Sequence, residues 1–274
     1  MSTIGLVLGK PAGRSPVIGE VADRLRAQGH LVMTHVPGRD AGLPSWLDHA
    51  DLVALRGLDP RTLQALAEHD PSDVRFLDTP GALLAAQDRP WTANRLRDVG
   101  LATPPWWPAP TWREATELIT RHAGRFVVKH TDGSIGRSAR VWMGDAGTLP
   151  AQPPFAGPFH VERDVGSGRT EVKLYRVGQH TAAFERRATR FAAIPVDARL
   201  HEVTVRAAGA LGLSLAGFDL LVDTSEVAVI DVNAFPSCRR LPDAAQRIAD
   251  HLVARARAPA LAVTPVRDDV GSVP

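Results

Sequence analysis

Cysteine and lysine are scarce in this chain. Cys238 is the single cysteine among 274 residues, which excludes an internal disulfide and fits a reducing compartment such as the cytoplasm. Lysine and arginine together number 32, yet only Lys10, Lys129 and Lys173 are lysines. Because lysine offers a compact point charge and arginine a planar fork, each lysine is a candidate for a specific contact, such as one with phosphate.

Long apolar runs are also missing. No stretch approaches the roughly 20 apolar residues that span a membrane. The first ten residues have no basic region and only a short apolar run, so we predict no signal peptide. The formal net charge is only +2, and no basic cluster is interleaved with aromatic residues. We therefore expect a cytoplasmic protein that binds neither a membrane nor nucleic acid.

The first 80 or so residues alternate between strand and helix patterns. Strands are predicted at 4–8, 31–36, 51–55 and 74–77, and helices at 15–28 and 59–69. This alternation predicts a small parallel sheet with helices on both faces. The loop 9–13 follows the first strand, where ligands of such sheets often bind. It lacks a dinucleotide fingerprint, so a substrate-facing loop or plain scaffold is the favoured interpretation.

The middle of the chain contains a glycine-rich hairpin. Helices are predicted at 79–87, 88–99 and 111–122, and the proline run at 103–110 forms an extended connection, because proline can continue neither a helix nor a central strand. A strand then ends in Lys129, a loop contains Gly133, Ser134 and Gly136, and a second strand starts near residue 139. Glycines let a backbone approach a polyanion closely. The pattern predicts a phosphate-binding lid, although most such hairpins are ordinary turns.

The most informative stretch is a second hairpin near the carboxyl end. Strands are predicted at 217–222 and 227–233, joined by a turn at 223–226. If the turn centres on Ser225, Asp219 lies opposite Asp231, and Asn233 emerges on the same face. Facing carboxylates destabilise a sheet unless a charge neutralises them, and Mg²⁺ prefers such oxygen ligands. The pattern therefore predicts a metal site; the alternative is an ordinary hairpin with polar ends.

The remaining patterns predict strands at 159–165, 169–177 and 182–187, and helices at 197–212 and 242–257. Glu171 and Lys173 share one face of their strand.

In this order, the motifs resemble those of the ATP-grasp superfamily. They are Val-Val-Lys129 with Gly133 to Gly136, then Glu162, Glu171-Val-Lys173, Gly217-Phe-Asp219 and Asp231-Val-Asn233. The branches most similar to the chain are the ribosomal-protein glutamate ligase-like and the inositol phosphate kinase-like groups. The resemblance implies a pre-ATP-grasp parallel α/β domain at 1–82, followed by an ATP-grasp fold of two α+β lobes. These are a central lobe with the lid at 83–160 and a C-terminal lobe with the metal hairpin at 161–274.

The resemblance also implies a role for each matching position. Lys129 would contact the α- and β-phosphates of ATP, with Gly133, Ser134 and Gly136 closing over them. Glu162, Arg163 and Val165 match the hinge that reads adenine and ribose, and Lys173 would reach the γ-phosphate. Asp219, Asp231 and Asn233 would hold one or two Mg²⁺ ions, with Mn²⁺ as an alternative.

The chain departs from the family pattern at three places. Asp88-Arg89 stands where the family often has Asp-Lys, so Arg89 replaces the first phosphate lysine. Arg137 and Ser138 stand where the lid usually has a further glycine. The Arg-x-Asn segment of the ligase branch is missing. Arg187 and Arg190 follow a strand that we expect to run toward the lobe interface, and a guanidinium fork fits both carboxylate and phosphate, so they are candidates for holding the acid substrate and its acyl phosphate; the alternative is that they are solvated surface arginines.

The implied activity is an ATP-grasp ligase, which forms an amide or peptide bond from a small acid and an amine through an acyl phosphate. Two alternatives stay open: a kinase acting on a hydroxyl group, and a nucleotide-binding protein without turnover. The oligomeric state is also open, with a homodimer as one option.

Overall fold

The computed structural model describes residues 1–38, 42–69, 75–133 and 141–258. Within these ranges the chain forms seven α-helices and thirteen strands arranged in three sheets. The predicted fold class is confirmed: a parallel α/β domain precedes two α+β lobes. None of the helices in the described ranges is both long enough and apolar enough to cross a membrane.

The N-terminal domain is a parallel sheet with strand order β2-β1-β3-β4. Asp59 caps its second helix by accepting a hydrogen bond from the Thr62 N–H at 2.9 Å, and Pro60 occupies the first turn, where no N–H is required. Part of the predicted fourth strand lies outside the described residues. The elements are β1 (Thr3–Leu8), α1 (Pro16–Ala27), β2 (Leu31–His35), β3 (Leu52–Arg56), α2 (Pro60–Glu68) and β4 (Phe76–Leu77).

The middle lobe is an antiparallel sheet with strand order β5-β8-β6-β7. The proline run is extended, as predicted, but it also forms the edge strand β5, a position that tolerates Pro108 because one side of an edge strand needs no hydrogen bonds. Strand β8 completes this sheet, so the predicted boundary between residues 160 and 161 falls inside a strand. The elements are β5 (Trp106–Ala109), α5 (Trp112–Arg121), β6 (Phe126–His130), β7 (Val141–Gly144) and β8 (Phe159–Arg163).

The C-terminal lobe is a five-stranded antiparallel sheet with strand order β11-β10-β9-β12-β13. Strand β11, which the sequence patterns did not predict, forms a tight hairpin with β10. The strands are β9 (Thr170–Val177), β10 (His180–Arg187), β11 (Arg190–Ile194), β12 (Leu215–Val222) and β13 (Val227–Ala234), and the helices are α3 (Pro80–Gln87), α4 (Arg89–Asp98), α6 (Ala198–Leu211) and α7 (Ala244–Arg257).

Two large hydrophobic cores join the N-terminal domain to the C-terminal lobe. One contains Leu55 and Leu63 from the first sheet region together with Leu174 and Phe218 from the C-terminal sheet. The other combines residues of β1 and α1 with residues of β9, β10 and α7. The middle lobe has its own smaller core, which includes Phe126 and Phe159. The cleft that matters for function therefore lies between the middle lobe and the rest of the molecule.

Candidate functional site

Three charged residues lie side by side across the C-terminal sheet. Lys173 of β9 is paired with Asp219 of β12, which is paired in turn with Asp231 of β13. The predicted facing of the two aspartates is therefore confirmed. Residues paired in an antiparallel ladder project from the same face, and Lys173 Nζ lies 2.6 Å from Asp219 Oδ1. We call Lys173, Asp219 and Asp231 the charged row; Asn233 lies on the same face.

A β-bulge sets the register of this row. Near the turn, Val222 pairs with Val227 and Leu220 with Val229, but beyond the bulge Asp219 pairs with Asp231. Ile230 has no partner residue in this ladder. Without the bulge, the register of Leu220 and Val229 would set Ile230 opposite Asp219 and turn Asp231 to the other face, so the bulge is what keeps Asp231 beside Asp219. The turn geometry alone did not predict this bulge.

The middle lobe contributes a buried ion pair to the cleft. Lys129, near the end of β6, places its Nζ 2.6 Å from Glu162 Oε2 and donates a 2.8 Å hydrogen bond to the Ile230 carbonyl. His160 Nε2 lies 2.9 Å from the other carboxylate oxygen of Glu162. Lys129 therefore links the middle lobe to the bulge of the C-terminal sheet.

The electrostatics of Glu162 follow from these contacts. Burial alone would raise the pKa of its carboxyl group, but the charge of Lys129 and the hydrogen bonds from His160 and Lys129 outweigh burial and hold the pKa at about 2. Burial lowers the pKa of His160, and its hydrogen bond to Glu162 only partly offsets that effect. Glu162 is therefore a stable carboxylate, kept in place by two basic side chains.

Arg89 supplies a further cation at the same cleft. It is the first residue of α4, whose N-cap, Asp88, accepts a 2.9 Å hydrogen bond from the Trp91 N–H. The Arg89 guanidinium donates to the His130 carbonyl at 2.9 Å and lies 3.5 Å from Asp231 Oδ1. The two aspartates of the charged row are thus neutralised by Lys173 on one side and Arg89 on the other.

The donor set fits a hard divalent cation. Two facing carboxylates and the Asn233 amide offer oxygen ligands on one face, as Mg²⁺ prefers. No cluster of three or more His, Cys, Asp or Glu side chains forms a metal site within the ranges that the structure describes, so the set consists of Asp219, Asp231 and the neutral Asn233. Lys173 and Arg89 already place positive charge beside the two carboxylates.

Two cavities border Gly133, at the cleft between the lobes. The first, of about 40 Å³, is lined by Arg89, Glu162, Ile230 and Asp231, with Gly133 at its border. This volume is far below the roughly 300–1,000 Å³ of typical ligand pockets, and the hydrogen bond from Lys129 to the Ile230 carbonyl joins the two lobes beside it. The second cavity, of about 200 Å³, extends from Gly133 past Asn233 to the end of β3.

The lid is described only at its first glycine. The Gly133 N–H donates to the Gln87 carbonyl at 2.6 Å, which fixes the start of the loop where the two cavities meet. Ser134 and Gly136, the other predicted lid residues, lie outside the described residues.

The predicted hinge residues lie at the end of β8 and just beyond it. Side chains alternate along β8, so Glu162 points into the cleft and Arg163 points away from it. The Arg163 guanidinium lies 4.8 Å from the Phe126 ring centroid and donates to the Ala123 carbonyl. The Arg163 backbone N–H donates to the Pro105 carbonyl at 2.8 Å. Val165 lies just beyond the strand and is partly buried.

The predicted acid-binding residues Arg187 and Arg190 lie away from the charged row. These residues pair with each other at the tip of the β10–β11 hairpin. Phe184 is the β10 residue paired with Lys173, so Arg187, three positions later, projects from the opposite face of the sheet. It contacts Glu185 at 2.9 Å and its side chain is 67% exposed. Lys173, the third predicted catalytic residue, is in the charged row.

The sequence analysis missed His160, which is buried and holds Glu162 in place. The Trp106 ring stacks on it with a centroid separation of 4.7 Å. The spacing of His160 and Glu162, two residues apart on a predicted strand, was the available signal, because alternate residues share a face.

A model of a known protein family matches part of the chain. The family model described as the inositol 1,3,4-trisphosphate 5/6-kinase ATP-grasp domain matches residues 163–254. Comparison of the sequence with curated proteins gave no significant match.

Several solved structures resemble the whole chain. The ATP-grasp ligase PsnB complexed with minimal precursor, Mg and ADP has a TM-score of 0.68 at 20% identity, covering 93% of this chain and 98% of its own. A RimK domain ATP-grasp protein from Sphaerobacter thermophilus DSM 20745 has a TM-score of 0.73 at 16% identity, covering 92% and 100%. The D-alanine–D-alanine ligase of Bacillus anthracis, complexed with ATP, has a TM-score of 0.68 at 15% identity, covering 93% and 97%. The expected resemblance to the ATP-grasp superfamily is thus confirmed, and the chain has the ATP-grasp fold.

Proposed function

We propose that this chain, which has the ATP-grasp fold, is an ATP-dependent carboxylate–amine ligase. It would join a small acid to an amine through an acyl phosphate and release ADP and inorganic phosphate. The observation that carries the proposal is the charged row opposite Lys129. Two facing carboxylates with an amide beside them, and lysines on both sides of a cleft, form a receptor for a metal–polyphosphate.

Each side chain has a role in this reaction. Lys129 would leave Ile230 and bind the α- and β-phosphates once the lobes open for the nucleotide. Lys173 would bind the γ-phosphate, and Asp219, Asp231 and Asn233 would hold one or two Mg²⁺ ions, or Mn²⁺. The bound metal neutralises phosphate charge. Glu162 would keep Lys129 oriented and read the ribose.

The chemistry requires no nucleophile from the protein. A carboxylate oxygen of the acid attacks the γ-phosphorus, the bond to the bridging oxygen breaks, and ADP departs with that electron pair. The amine then attacks the acyl carbon, phosphate leaves, and the nitrogen loses its proton. Positioning and charge stabilisation by Lys129 and Lys173 are what the chain contributes to the transition state.

The similar structures support a ligase. PsnB was crystallised with a precursor, Mg and ADP, and the D-alanine–D-alanine ligase with ATP. Both are ligases, and each covers nearly the whole of this chain. The second candidate, a kinase acting on a hydroxyl group, is favoured by the kinase-type family model that matches residues 163–254.

A trapping experiment distinguishes the ligase from the kinase. The enzyme is incubated with ATP, Mg²⁺ and pools of amino acids and small acids, with and without hydroxylamine. A ligase should yield a hydroxamate, ADP and free phosphate, because hydroxylamine intercepts the acyl phosphate. The Asp231→Asn variant should remain folded but form at least ~100-fold less hydroxamate, since it loses a negative charge that would hold the Mg²⁺ ion.

Asp23→Asn is the matched control, because the Asp23 side chain is 78% exposed on the surface; it should behave as the wild type. Two results would count against the proposal. A stable phosphorylated alcohol without free phosphate or hydroxamate would establish the kinase. Wild-type activity of Asp231→Asn at ordinary Mg²⁺ concentration would remove the hairpin from the metal site.

A further inference from the structure

Arg56 is partly buried and has no acidic partner among the residues that the structure describes. It ends β3, at the carboxyl edge of the parallel sheet. Its Nε is buried and has no hydrogen-bond partner, and it forms no ion pair with a carboxylate in the part of the chain that the structure describes. Burying a charge is costly unless it is paired. An unpaired arginine in this position therefore suits an anion that arrives from solution.

The charge of a second arginine, Arg239, acts on Arg56. Burial is the main cause of a lowered pKa for Arg56, the nearby Cys238 offsets part of the effect, and the charge of Arg239 lowers it further. Arg239 is exposed and belongs to the loop that follows β13. Like charges that act on each other favour a bound anion that neutralises both, and the guanidinium fork matches carboxylate and phosphate geometry.

The pair lies next to the proposed metal site. Arg56 Cζ is 5.8 Å from the centroid of the Phe235 ring. Phe235 follows Asn233 by two residues, which is ~7 Å along an extended chain. The backbone on either side of Arg56 borders the 200 Å³ cavity that Asn233 also lines, and the Arg56 side chain itself contacts Phe235 outside that cavity.

The end of β3 is held firmly. The Gly9 N–H donates to the Arg56 carbonyl at 2.9 Å, and a Cβ at Gly9 would lie 1.8 Å from the Gly57 carbonyl oxygen. Only glycine allows the loop after β1 to approach this closely. The contact therefore fixes the backbone that carries Arg56.

The order of features along β13 indicates which part of a substrate reaches Arg56. The Ile230 carbonyl accepts the hydrogen bond from Lys129, and Asp231 in the charged row comes next. Asn233 follows, and Phe235, just after the strand, lies beneath Arg56. On the proposed function, on which this inference rests, the phosphates occupy the middle of this line. The far end, at Phe235, is then where the acid substrate lies.

We propose that the acid substrate carries a second anionic group, a carboxylate or a phosphate, which Arg56 and Arg239 bind while the reacting carboxylate lies at the charged row. Two other arginines near the end of the C-terminal sheet already have partners. Arg186 is neutralised by Glu171 at 2.6 Å, and Arg240 covers the Phe191 ring at 4.5 Å. Arg56 and Arg239 are therefore positioning residues that select a dianionic acid of modest length.

The test compares acids that differ in their second group. Hydroxamate formation is measured with butyrate, succinate, glutarate and 3-phosphoglycerate for the wild type, Arg56→Gln, Arg56→Lys and Arg239→Gln. Loss of a charged hydrogen bond corresponds to a fall of roughly 10- to 150-fold. We expect this fall in kcat/KM for the dianionic acids with Arg56→Gln, a smaller fall with Arg239→Gln, partial rescue by Arg56→Lys, and little change with butyrate.

Arg113→Gln is the control, because the Arg113 side chain is 81% exposed on α5. Mg-ATP should raise the melting temperature of every variant, which shows that each is folded. A preference for 3-phosphoglycerate over succinate supports the proposal with phosphate as the anion. Equal kcat/KM values for butyrate and the dianionic acids, unchanged by Arg56→Gln, would overturn it while leaving the ligase intact.

Calorimetry decides the question without turnover. Succinate, glutarate and 3-phosphoglycerate are titrated into the wild type and into Arg56→Gln, each loaded with Mg²⁺ and a non-hydrolysable ATP analogue. Binding by the wild type that weakens at least 10-fold in Arg56→Gln supports the anion site. Failure of all three acids to bind the wild type would overturn the anion site. This result does not depend on whether any acid yields a hydroxamate.

Discussion

At the scale of single residues, Lys129 has two functions that a mutation must separate. In the closed cleft it neutralises the buried Glu162 and contacts the Ile230 carbonyl, and in the proposed function it binds phosphates. A substitution therefore removes a phosphate contact and also leaves a carboxylate buried without its main partner.

We predict that Lys129→Met weakens ATP binding roughly 10- to 150-fold, the range for a charged hydrogen bond. It should also lower the free energy of unfolding by about 3–5 kcal/mol, the usual cost of breaking a buried ion pair. The double variant Lys129→Met/Glu162→Gln should recover much of the stability but not the affinity. Calorimetry with ATP and urea unfolding measure the two effects, and unchanged ATP affinity would exclude Lys129 from the phosphate site.

At the scale of elements, the alternation of side chains decides which basic residues belong to the site. Lys173 projects toward the cleft with Asp219, and Arg187 projects from the other face of the same sheet. The two residues lie on adjacent strands, so position along the sheet does not distinguish them.

We predict that Lys173→Gln reduces ligase turnover at least ~100-fold, because it removes a charge that stabilises the transferring phosphoryl group. Arg187→Gln should stay within about threefold of the wild type, as expected for an exposed ion pair of small energetic weight. Steady-state kinetics on both variants provide the comparison. A large loss with Arg187→Gln and none with Lys173→Gln would reverse the assignment of the two faces.

The sequence predicted those features that depend on local periodicity. The two strands and their short turn follow from the period of two, and the glycine hairpin follows from its composition. The facing of Asp219 and Asp231 was predicted correctly, but it depends on the bulge at Ile230, which the turn geometry did not predict. The face of Arg187 depends on how β10 pairs with β9, which the turn at Gly178 and Gln179 sets. The burial of Glu162 and the contact from Lys129 to Ile230 depend on how two lobes meet, and no local pattern encodes that.

At the scale of the whole molecule, the N-terminal domain is anchored to the C-terminal lobe by a buried polar network as well as by shared cores. Asp78, just after β4, accepts hydrogen bonds from the Ser214 N–H at 2.9 Å and from its hydroxyl at 2.7 Å. His251 of α7 lies 3.1 Å from the Ser214 hydroxyl. Burial lowers the pKa of His251 to about 4, and the charges of Arg255 and Arg176 contribute.

This shift predicts a pH dependence of stability. In the unfolded chain His251 has its ordinary pKa near 6.5, so the unfolded state binds the extra proton first as the pH falls. Stability should be complete above about pH 6.5 and should fall by on the order of 1–3 kcal/mol toward pH 4. Burial raises the pKa of Asp78, which adds an opposite slope, so the comparison must be made with a variant.

Urea unfolding between pH 7 and pH 4 should show a flatter profile for His251→Asn than for the wild type. His201→Asn, an exposed position on α6, serves as the control and should follow the wild type. Identical profiles for all three proteins would show that His251 is not held neutral in the folded state.

The bulge at Ile230 makes the closing of the cleft separable from the assembly of the metal ligands. If Ile230 were deleted, β13 would continue in the register that Leu220 and Val229 already have, and Asp219 would still face Asp231. The carbonyl that receives Lys129 would be gone. The Ile230 carbonyl thus connects the two lobes. Changes at this position are expected to alter how readily the cleft opens without altering the pairing of Asp219 with Asp231.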